Sequence, residues 1–111
     1  MKVSVEIIPQ DIRCITLDGR LDPAGVQSAE AEFDAAVAAG SKIVVDLSKV
    51  PFIASVGVRL LVKGSQAQAK KGGKMVMMNP DELTRRILKT TGIDQLIPVF
   101  DSREAALAAF A

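Results

Sequence analysis

The chain has 111 residues, of which 49% are hydrophobic and 24% are charged, and its formal net charge is +1. This length and composition are typical of one globular domain, residues 1–111, which can bury a core without disulfide or metal staples. A net charge so near zero excludes the strong positive field that draws proteins to nucleic acid or to anionic membranes.

Certain residue types and segments are missing from the sequence. Histidine is absent, which removes the commonest general base and the commonest neutral metal ligand. The one cysteine, Cys14, cannot form an intramolecular disulfide and fits a reducing compartment. No apolar stretch approaches the roughly 20 residues that cross a bilayer, and residues 1–8 do not resemble an export signal. We therefore expect a cytoplasmic protein that is not inserted into a membrane.

The N-terminal residues predict a β-hairpin. Hydrophobic and polar residues alternate at Val3, Val5 and Ile7, which is the pattern of a half-buried strand. Residues 9–11 (Pro-Gln-Asp) interrupt the pattern, and residues 12–17 form a second run that is rich in β-branched side chains. The short break between the two runs favours antiparallel pairing.

An amphipathic helix and a buried strand follow. Asp22 has the chemistry of an N-cap, and the proline after it suits the first helical position. Residues 43–45 (Ile-Val-Val), closed by Asp46, are apolar on both sides and predict a central strand covered on both faces. Between cap and strand, apolar residues recur at spacings of three and four, as on one face of a helix. They are Val26, Ala29, Phe33 and Val37.

The middle of the chain predicts a second and a third helix separated by a strand. Residues 56–71 read as a helix that a pair of glycines ends, and residues 75–78 (Met-Val-Met-Met) read as a buried strand. The segment 79–82 (Asn-Pro-Asp-Glu) then predicts a helix start, with asparagine as cap and proline at the first position. The apolar stripe of this third helix is expected at Leu83, Ile87 and Leu88.

One more strand and helix are expected at the C-terminal end. Residues 96–100 read as a strand, which Pro98 assigns to a sheet edge or a bulge. Asp101, with Glu104 three residues on, opens a helix through Phe110. The whole order is ββαβαβαβα. It predicts an α/β domain with a mixed, mainly parallel sheet of about five strands and about four helices.

Three segments of the chain carry a resemblance to a known family. Residues 45–58 (VDLSKVPFIASVGV) run from the central strand through Asp-Leu-Ser to a Phe-Ile pair, a serine-containing turn and a helix-opening glycine. Residues 19–22 (GRLD) follow the second strand. Residues 91–94 (TGID) and 99–107 (VFDSREAAL) form the C-terminal segment. In this order and spacing the chain resembles the STAS domain of sulfate transporters and anti-sigma factor antagonists, over nearly its whole length.

The resemblance implies a STAS-like domain that works by binding another protein and is not an enzyme. In the family, an antagonist binds a cytoplasmic anti-sigma factor that is also a serine kinase. The kinase phosphorylates a serine at the N-terminus of the second helix, which breaks the complex, and a metal-dependent serine phosphatase reverses the mark. We expect the same classes of partner here, with no cofactor, no bound metal and no nucleic acid, and the oligomeric state stays open.

Ser55 is the candidate phosphoacceptor, and the turn around it departs from the common family pattern. That pattern reads Asp-Ser-Ser/Thr-Gly with the acceptor directly before the glycine, and here Ala54 and Val56 occupy its acidic and acceptor positions. Ser55 lies two residues before Gly57, as in a variant pattern that reads Ser-Ser-Ala-Gly-Leu-Arg. A serine is also what an N-cap requires. A capping role, a phosphoacceptor role and a domain that binds without being switched therefore all remain open.

The expected partner surface surrounds Ser55. A phosphate there would add roughly −1.5 to −2 charges to an otherwise apolar contact and should expel a partner. Gly57 would allow either a close approach of the partner's backbone or tight packing of the first helical turn. Asp22 has the alternative role of a helix cap, Asp46 that of a turn former, and Arg59 that of a solvated cation. The expected partner-binding residues are Asp22, Asp46, Phe52, Ile53, Val56, Gly57, Val58 and Arg59.

Two other functions compete with a switched antagonist. An unswitched STAS adaptor, or a scaffold subunit of a larger signalling or lipid-transport complex, would bind without a phosphoryl mark. An enzyme or a nucleotide-binding domain is less well supported. Residues 70–74 (Lys-Lys-Gly-Gly-Lys) lack the spacing of a phosphate-binding loop, and no set of acid, base and nucleophile stands out.

Overall fold

The computed structural model describes every residue from Met1 to Ala111. Its elements follow the order ββαβαβαβα, which confirms the predicted order and fold class. The strands are β1 (Lys2–Ile8), β2 (Ile12–Asp18), β3 (Lys42–Lys49), β4 (Lys74–Met78) and β5 (Val99–Phe100). The helices are α1 (Pro23–Ala38), α2 (Ser55–Lys70), α3 (Glu82–Thr91) and α4 (Arg103–Ala108).

The five strands form one mixed sheet in the order β1-β2-β3-β4-β5. β1 and β2 are antiparallel, as the short connection between them predicts, and every other neighbouring pair is parallel. The predicted central strand is therefore β3, and its residues Ile43, Val44 and Val45 are completely buried. A strand with apolar side chains on both faces needs cover on both faces, and the helices supply it.

Successive residues of β3 point into two separate cores. Ile43, Val45 and Leu47 belong to a larger core of 17 buried residues, which α1, α2 and α3 cover. Val44 points to the opposite face and joins a smaller core of 7 residues, which α4 closes through Ala106. Because side chains alternate along a strand, the face of any residue in β3 is fixed by its position alone.

The edge strand β1 is less buried than its sequence pattern predicts. Val3 packs against the larger core, as expected. Val5 and Ile7 lie on the same face, but 46% and 60% of their surfaces are exposed. No helix covers these two side chains, so the alternation correctly predicts the strand and its face but overstates its burial.

The third helix begins later than the sequence predicts. Asn79 has a φ of 57°, so it cannot be the cap, and Asp81 takes that role, accepting a hydrogen bond from the Thr84 backbone N–H at 2.7 Å. Leu83 is also half exposed, and the buried face of α3 is formed by Thr84 and Leu88. The shift follows from the geometry of an N-cap, which needs an extended backbone that Asn79 does not have.

The C-terminal segment is shorter in regular structure than predicted. β5 contains only Val99 and Phe100, and Leu96 is 67% exposed in the connection before it. Ser102, and not Asp101, caps α4 by accepting a hydrogen bond from the Ala105 backbone N–H at 3.1 Å. Pro98 cannot donate a ladder hydrogen bond and contributes only its carbonyl, which accepts from the Met77 N–H at 2.9 Å, so the paired residues start at Val99.

Candidate functional site

Two loops at the carboxyl ends of β2 and β3 run side by side. Leu21 and Ile53 form a parallel bridge between them. The Leu21 N–H donates to the Phe52 carbonyl, and the Ala54 N–H donates to the Leu21 carbonyl, both at 2.9 Å. These two bonds fix the start of α1 next to the start of α2. They bring the predicted Gly-Arg-Leu-Asp turn and the serine-containing turn to one edge of the sheet.

Gly57 is required for this arrangement because α2 packs directly onto the Leu21 backbone. A Cβ atom at Gly57 would lie 2.8 Å from the Leu21 carbonyl oxygen and 3.0 Å from the Ile53 Cγ1. Real carbon atoms do not approach that closely without displacement. Gly57 is buried in the chain's own interior. Of its two expected roles, tight packing of the first turn is therefore correct, and close approach of a partner is wrong.

Ser55 is the first residue of α2, and its side chain does not cap the helix. The N-cap position belongs to Ala54, whose carbonyl accepts bonds from the Gly57 N–H at 2.9 Å and the Val58 N–H at 3.0 Å. The capping role expected for Ser55 is therefore wrong. The backbone bond from Ala54 to Leu21 starts the helix one residue earlier than the serine would. The Ser55 side chain is exposed at the positive end of α2.

Asp22 is the N-cap of α1, as predicted. Its Oδ1 accepts a hydrogen bond from the Gly25 N–H at 2.8 Å, and its Oδ2 lies 3.4 Å from the Arg20 Nε. The Gly25 bond, followed by the hydrogen bond and charge of Arg20, lowers the pKa of Asp22 below its ordinary value. The Arg20 guanidinium carbon also lies 4.6 Å from the centre of the Phe52 ring. Arg20 thus joins a carboxylate to a half-buried aromatic ring.

Sequence reasoning did not single out Arg20. Cation–aromatic and carboxylate contacts depend on which loops meet, and the parallel pairing of residues 20–22 with 52–54 is a tertiary feature. The one available signal was the Arg-x-Asp spacing in the Gly-Arg-Leu-Asp turn. In the structure that spacing places both side chains on the same, outward side of the extended turn.

A groove of about 260 Å³ lies between α1 and α2 beside the serine turn. Lys63 crosses it, with its Nζ 2.8 Å from an Asp34 oxygen and 3.7 Å from a Glu30 oxygen. The hydrogen bond and charge of Asp34 raise the pKa of Lys63. The residues that line the groove are Val26, Glu30, Val56, Arg59, Leu60 and Lys63.

The other expected partner-binding residues fall into two groups. Phe52, Val56 and Val58 are partly exposed, and Arg59 is exposed on α2. Ile53 is only 2% exposed and belongs to the larger core, so its expected contact with a partner is wrong. Its side chain instead packs in the larger core beneath the two loops. We call the accessible set the switch surface, defined as Arg20, Asp22, Phe52, Ser55, Val56, Val58 and Arg59.

Asp46 does not join the switch surface. It pairs in register with Thr16 of β2 and Met78 of β4, and Met78 belongs to the smaller core on the α4 face of the sheet. Its Oδ1 accepts a hydrogen bond from the Ser48 backbone N–H at 2.9 Å, so it acts as a turn former. Burial first, and then the charge of Asp46, raises the pKa of Cys14 on that face. The expectation that Asp46 lines the serine turn is wrong.

No three acidic, cysteine or histidine side chains come together in an arrangement that would hold a metal ion. None of the helices has the length and apolar character needed to cross a bilayer. The switch surface itself presents one hydroxyl, apolar side chains and an arginine–aspartate pair, a set that suits binding to another protein.

Comparison with known proteins identifies the family. The profile of the STAS domain matches residues 2–106. BtrV of Bordetella bronchiseptica, provisionally named an anti-sigma factor antagonist, is 32% identical over 95 residues, which are 85% of this chain and 82% of BtrV. An anti-sigma factor antagonist from Mycobacterium paratuberculosis has a TM-score of 0.86 at 28% identity, over 97% of this chain and 92% of that one. Unphosphorylated SpoIIAA shares the fold, with a TM-score of 0.78 at 21% identity over 98% and 96% of the two chains. The chain is therefore a STAS-domain protein of the anti-sigma factor antagonist family.

Proposed function

We propose that this protein binds an anti-sigma factor through the switch surface and that phosphorylation of Ser55 releases it. The observation that carries the proposal is the exposed Ser55 hydroxyl at the first position of α2, beside the partly exposed Phe52 and Val56. Its family relatives, BtrV and the mycobacterial protein, are described as anti-sigma factor antagonists. The protein acts by binding, in the cytoplasm, and its domain comprises residues 1–111.

The position of Ser55 supports a reversible mark. The first N–H groups of a helix lack partners within it, and the helix dipole favours negative charge at this end. A phosphoserine at Ser55 would therefore be tolerated by its own chain. A partner that packs on Phe52 and Val56 would have to desolvate a group carrying roughly −1.5 to −2 charges, so it would dissociate. The partner is an anti-sigma factor with serine kinase activity, and a serine phosphatase restores the free hydroxyl.

The lost acidic residue of the common family pattern has a counterpart in space. Ala54 supplies no carboxylate, but its backbone is bonded to Leu21, the residue directly before Asp22. Asp22 supplies a carboxylate, and Gly25 and Arg20 lower its pKa further below neutral. We assign to Asp22 and Arg20 the role of contacting the partner's polar groups next to the serine. Phe52, Val56, Val58 and Arg59 form the remaining contact.

The test is an affinity pull-down from the source organism with wild-type protein, Ser55→Asp and Ser48→Asp, read by mass spectrometry. Ser48→Asp is the matched control, since Ser48 is another exposed serine that lies outside the switch surface. We expect an anti-sigma factor to be retained by the wild type and the control and lost with Ser55→Asp. Incubation with that partner and ATP should add one phosphate to the wild type and none to Ser55→Ala, as read by intact mass.

The second candidate is an unswitched STAS adaptor. The observation that favours it is Val56, which fills the usual acceptor position with a side chain that cannot be phosphorylated. An adaptor would use the same apolar surface without a kinase. In that case Ser55→Asp and the wild type would retain the same partners, and no phosphate would be added. Those two results together would replace the first proposal with the second.

A further inference from the structure

β1 is an edge strand whose outer side is free. It pairs with β2 along all seven of its residues, from Lys2 to Ile8, and with no other strand. In an antiparallel pair, alternate residues direct their N–H and C=O groups away from the neighbouring strand. The outer edge of β1 therefore presents a row of unpaired donors and acceptors, together with the exposed side chains of Val5 and Ile7. Such an edge can pair with another strand.

The side chains of β1 are apolar on one face of the sheet and polar or charged on the other. Val3, Val5 and Ile7 lie on the larger-core face, since Val3 and Val5 pair with the core residues Leu17 and Ile15. Lys2, Ser4 and Glu6 lie on the other face. A strand that pairs with this edge in the right register must match apolar with apolar on one face, and charge with opposite charge on the other.

A second copy of β1 meets both requirements. When two identical strands pair antiparallel about a two-fold axis, the two residue numbers of every facing pair add up to the same constant. Facing side chains lie on the same face of the sheet, so apolar side chains meet apolar ones only if this constant is even. If it is eight, Ser4 faces Ser4, Lys2 faces Glu6, and Val3 faces Val5. Each of the last two pairs occurs twice by symmetry. Ile7 then extends the apolar row.

The neighbouring registers do not match the charges. A constant of ten places Lys2 against Ile8 and Ser4 against Glu6. A constant of six places Lys2 against Ser4 and leaves Glu6 beyond the paired segment. The charges are also available, since Lys2 is in no ion pair of the chain. Glu6 contacts Arg103 at 3.3 Å through one carboxylate oxygen, which leaves the other oxygen for a lysine.

We propose that the protein forms a homodimer in which two β1 strands pair antiparallel about Ser4, joining two five-stranded sheets into one of ten strands. Val3 and Val5 of the two copies pack on one face, and two Lys2–Glu6 ion pairs close the other. The switch surface lies in the loops that follow β2 and β3 and in the first turn of α2, whereas the proposed dimer contact uses only the outer edge of β1. Both switch surfaces of the dimer therefore stay accessible.

The first test uses charge exchange, with the oligomeric state measured by sedimentation velocity over a range of concentrations. We expect the wild type to show a concentration-dependent monomer–dimer equilibrium. Lys2→Glu alone and Glu6→Lys alone should each weaken dimerisation roughly tenfold or more, because every substitution acts twice across the axis. The double exchange should restore it. Arg103→Gln removes the contact of Glu6 within the chain and should leave the dimer intact.

The second test fixes the register through disulfide formation. In the proposed dimer, two Ser4→Cys side chains face each other at the axis, where opposite Cα atoms of antiparallel strands are roughly 4.5–5.5 Å apart, within the roughly 4.4–6.8 Å that a disulfide spans. Mild oxidation should therefore convert Ser4→Cys into a covalent dimer, whereas Ser48→Cys should form no covalent dimer, as read by non-reducing denaturing gel electrophoresis. Cys14 is buried and does not compete. A chain that stays monomeric at all concentrations, or Val5→Cys cross-linking in place of Ser4→Cys, would overturn the proposal.

Discussion

The packing of α2 on the Leu21 backbone gives a sharp prediction for Gly57→Ala. The added methyl carbon would lie 2.8 Å from both the Leu21 Cβ and the Leu21 carbonyl oxygen, and 3.0 Å from the Ile53 Cγ1. The Leu21 carbonyl cannot move away freely, because it accepts the Ala54 N–H bond that pairs the two loops. The first turn of α2 must therefore lift from the loops, and the position of Ser55 must change with it.

The expected change in the free energy of unfolding for Gly57→Ala is the difference between two opposing effects. Forcing an extra carbon into a closely packed site costs about 1–3 kcal/mol of stability. For Gly57→Ala we expect a cost near the upper end of this range, because the new carbon contacts a backbone oxygen that cannot move freely. The higher helix propensity of alanine than of glycine offsets somewhat less than 1 kcal/mol of this cost, since the site is in the first turn of the helix. We expect a net loss of about 2 kcal/mol in the free energy of unfolding.

Urea unfolding followed by circular dichroism measures this loss, and a decrease in the midpoint of roughly 1 M is expected for a chain of this size. Gly64→Ala is the matched control in the same helix. Its methyl carbon would meet the side-chain atoms of Phe33 and Met75 at 3.1–3.4 Å, which can shift, so the loss there should be smaller. If Gly57→Ala unfolds at the wild-type midpoint, the close contact of α2 with Leu21 is not present in solution.

Four further outcomes are expected. Thr84→Val should lower stability by about 1–2 kcal/mol in urea titrations, because the buried Thr84 hydroxyl donates to the Val50 carbonyl at 2.9 Å. Asp22→Ala should lower the melting temperature near neutral pH. Because folding lowers the pKa of Asp22, its contribution is present above the ordinary value of 3.8 and disappears as the pH falls through the folded value, so the gap in melting temperature should close in acid. The Cys14 thiol should react with a disulfide reagent at pH 8 at least roughly tenfold faster in urea than in the folded protein, since burial raises its pKa. Ser55→Ala should change stability by no more than about 0.5 kcal/mol, as the side chain makes no capping bond.

The sequence predicts the fold well because its strongest signals are local and agree with one another. The continuous apolar run of residues 43–45 identifies the central strand, and the structure buries it completely. Asp22 followed by proline identifies the start of α1, and the cap bond to Gly25 is present at 2.8 Å. Each signal reflects a requirement of one element, which is why it can be read without knowing the partners of that element.

The errors occur where a neighbouring element decides the outcome. Leu96 and Leu83 look like core residues by their chemistry, yet both are at least half exposed, because no second layer covers them. Ser55 looks like a cap, but a backbone bond from another loop starts the helix at Ala54. Neither coverage by a second layer of structure nor pairing between two loops can be read from the local sequence pattern.

Asp46 shows how one misplaced residue alters a functional argument. It follows the apolar run that leads to the serine turn, so the sequence places it near Ser55 along the chain. Strand alternation places its side chain on the face of Met78, with β3 itself between it and the first turn of α2. The acidic residue whose loop pairs with the serine turn is Asp22, which is distant in sequence and directly follows Leu21 of the bridge between Leu21 and Ile53.

The structural roles of the site are therefore carried by residues other than Ser55, and this separates stability from switching in experiments. Ala54 provides the helix start, Gly57 the close packing, and Ile53 the buried link between the loops. The Ser55 side chain makes no hydrogen bond that supports any of these roles. A substitution at Ser55 that changes partner binding without changing the unfolding midpoint consequently reports on the contact surface itself, whereas the same loss at Gly57 reports on the scaffold that positions it.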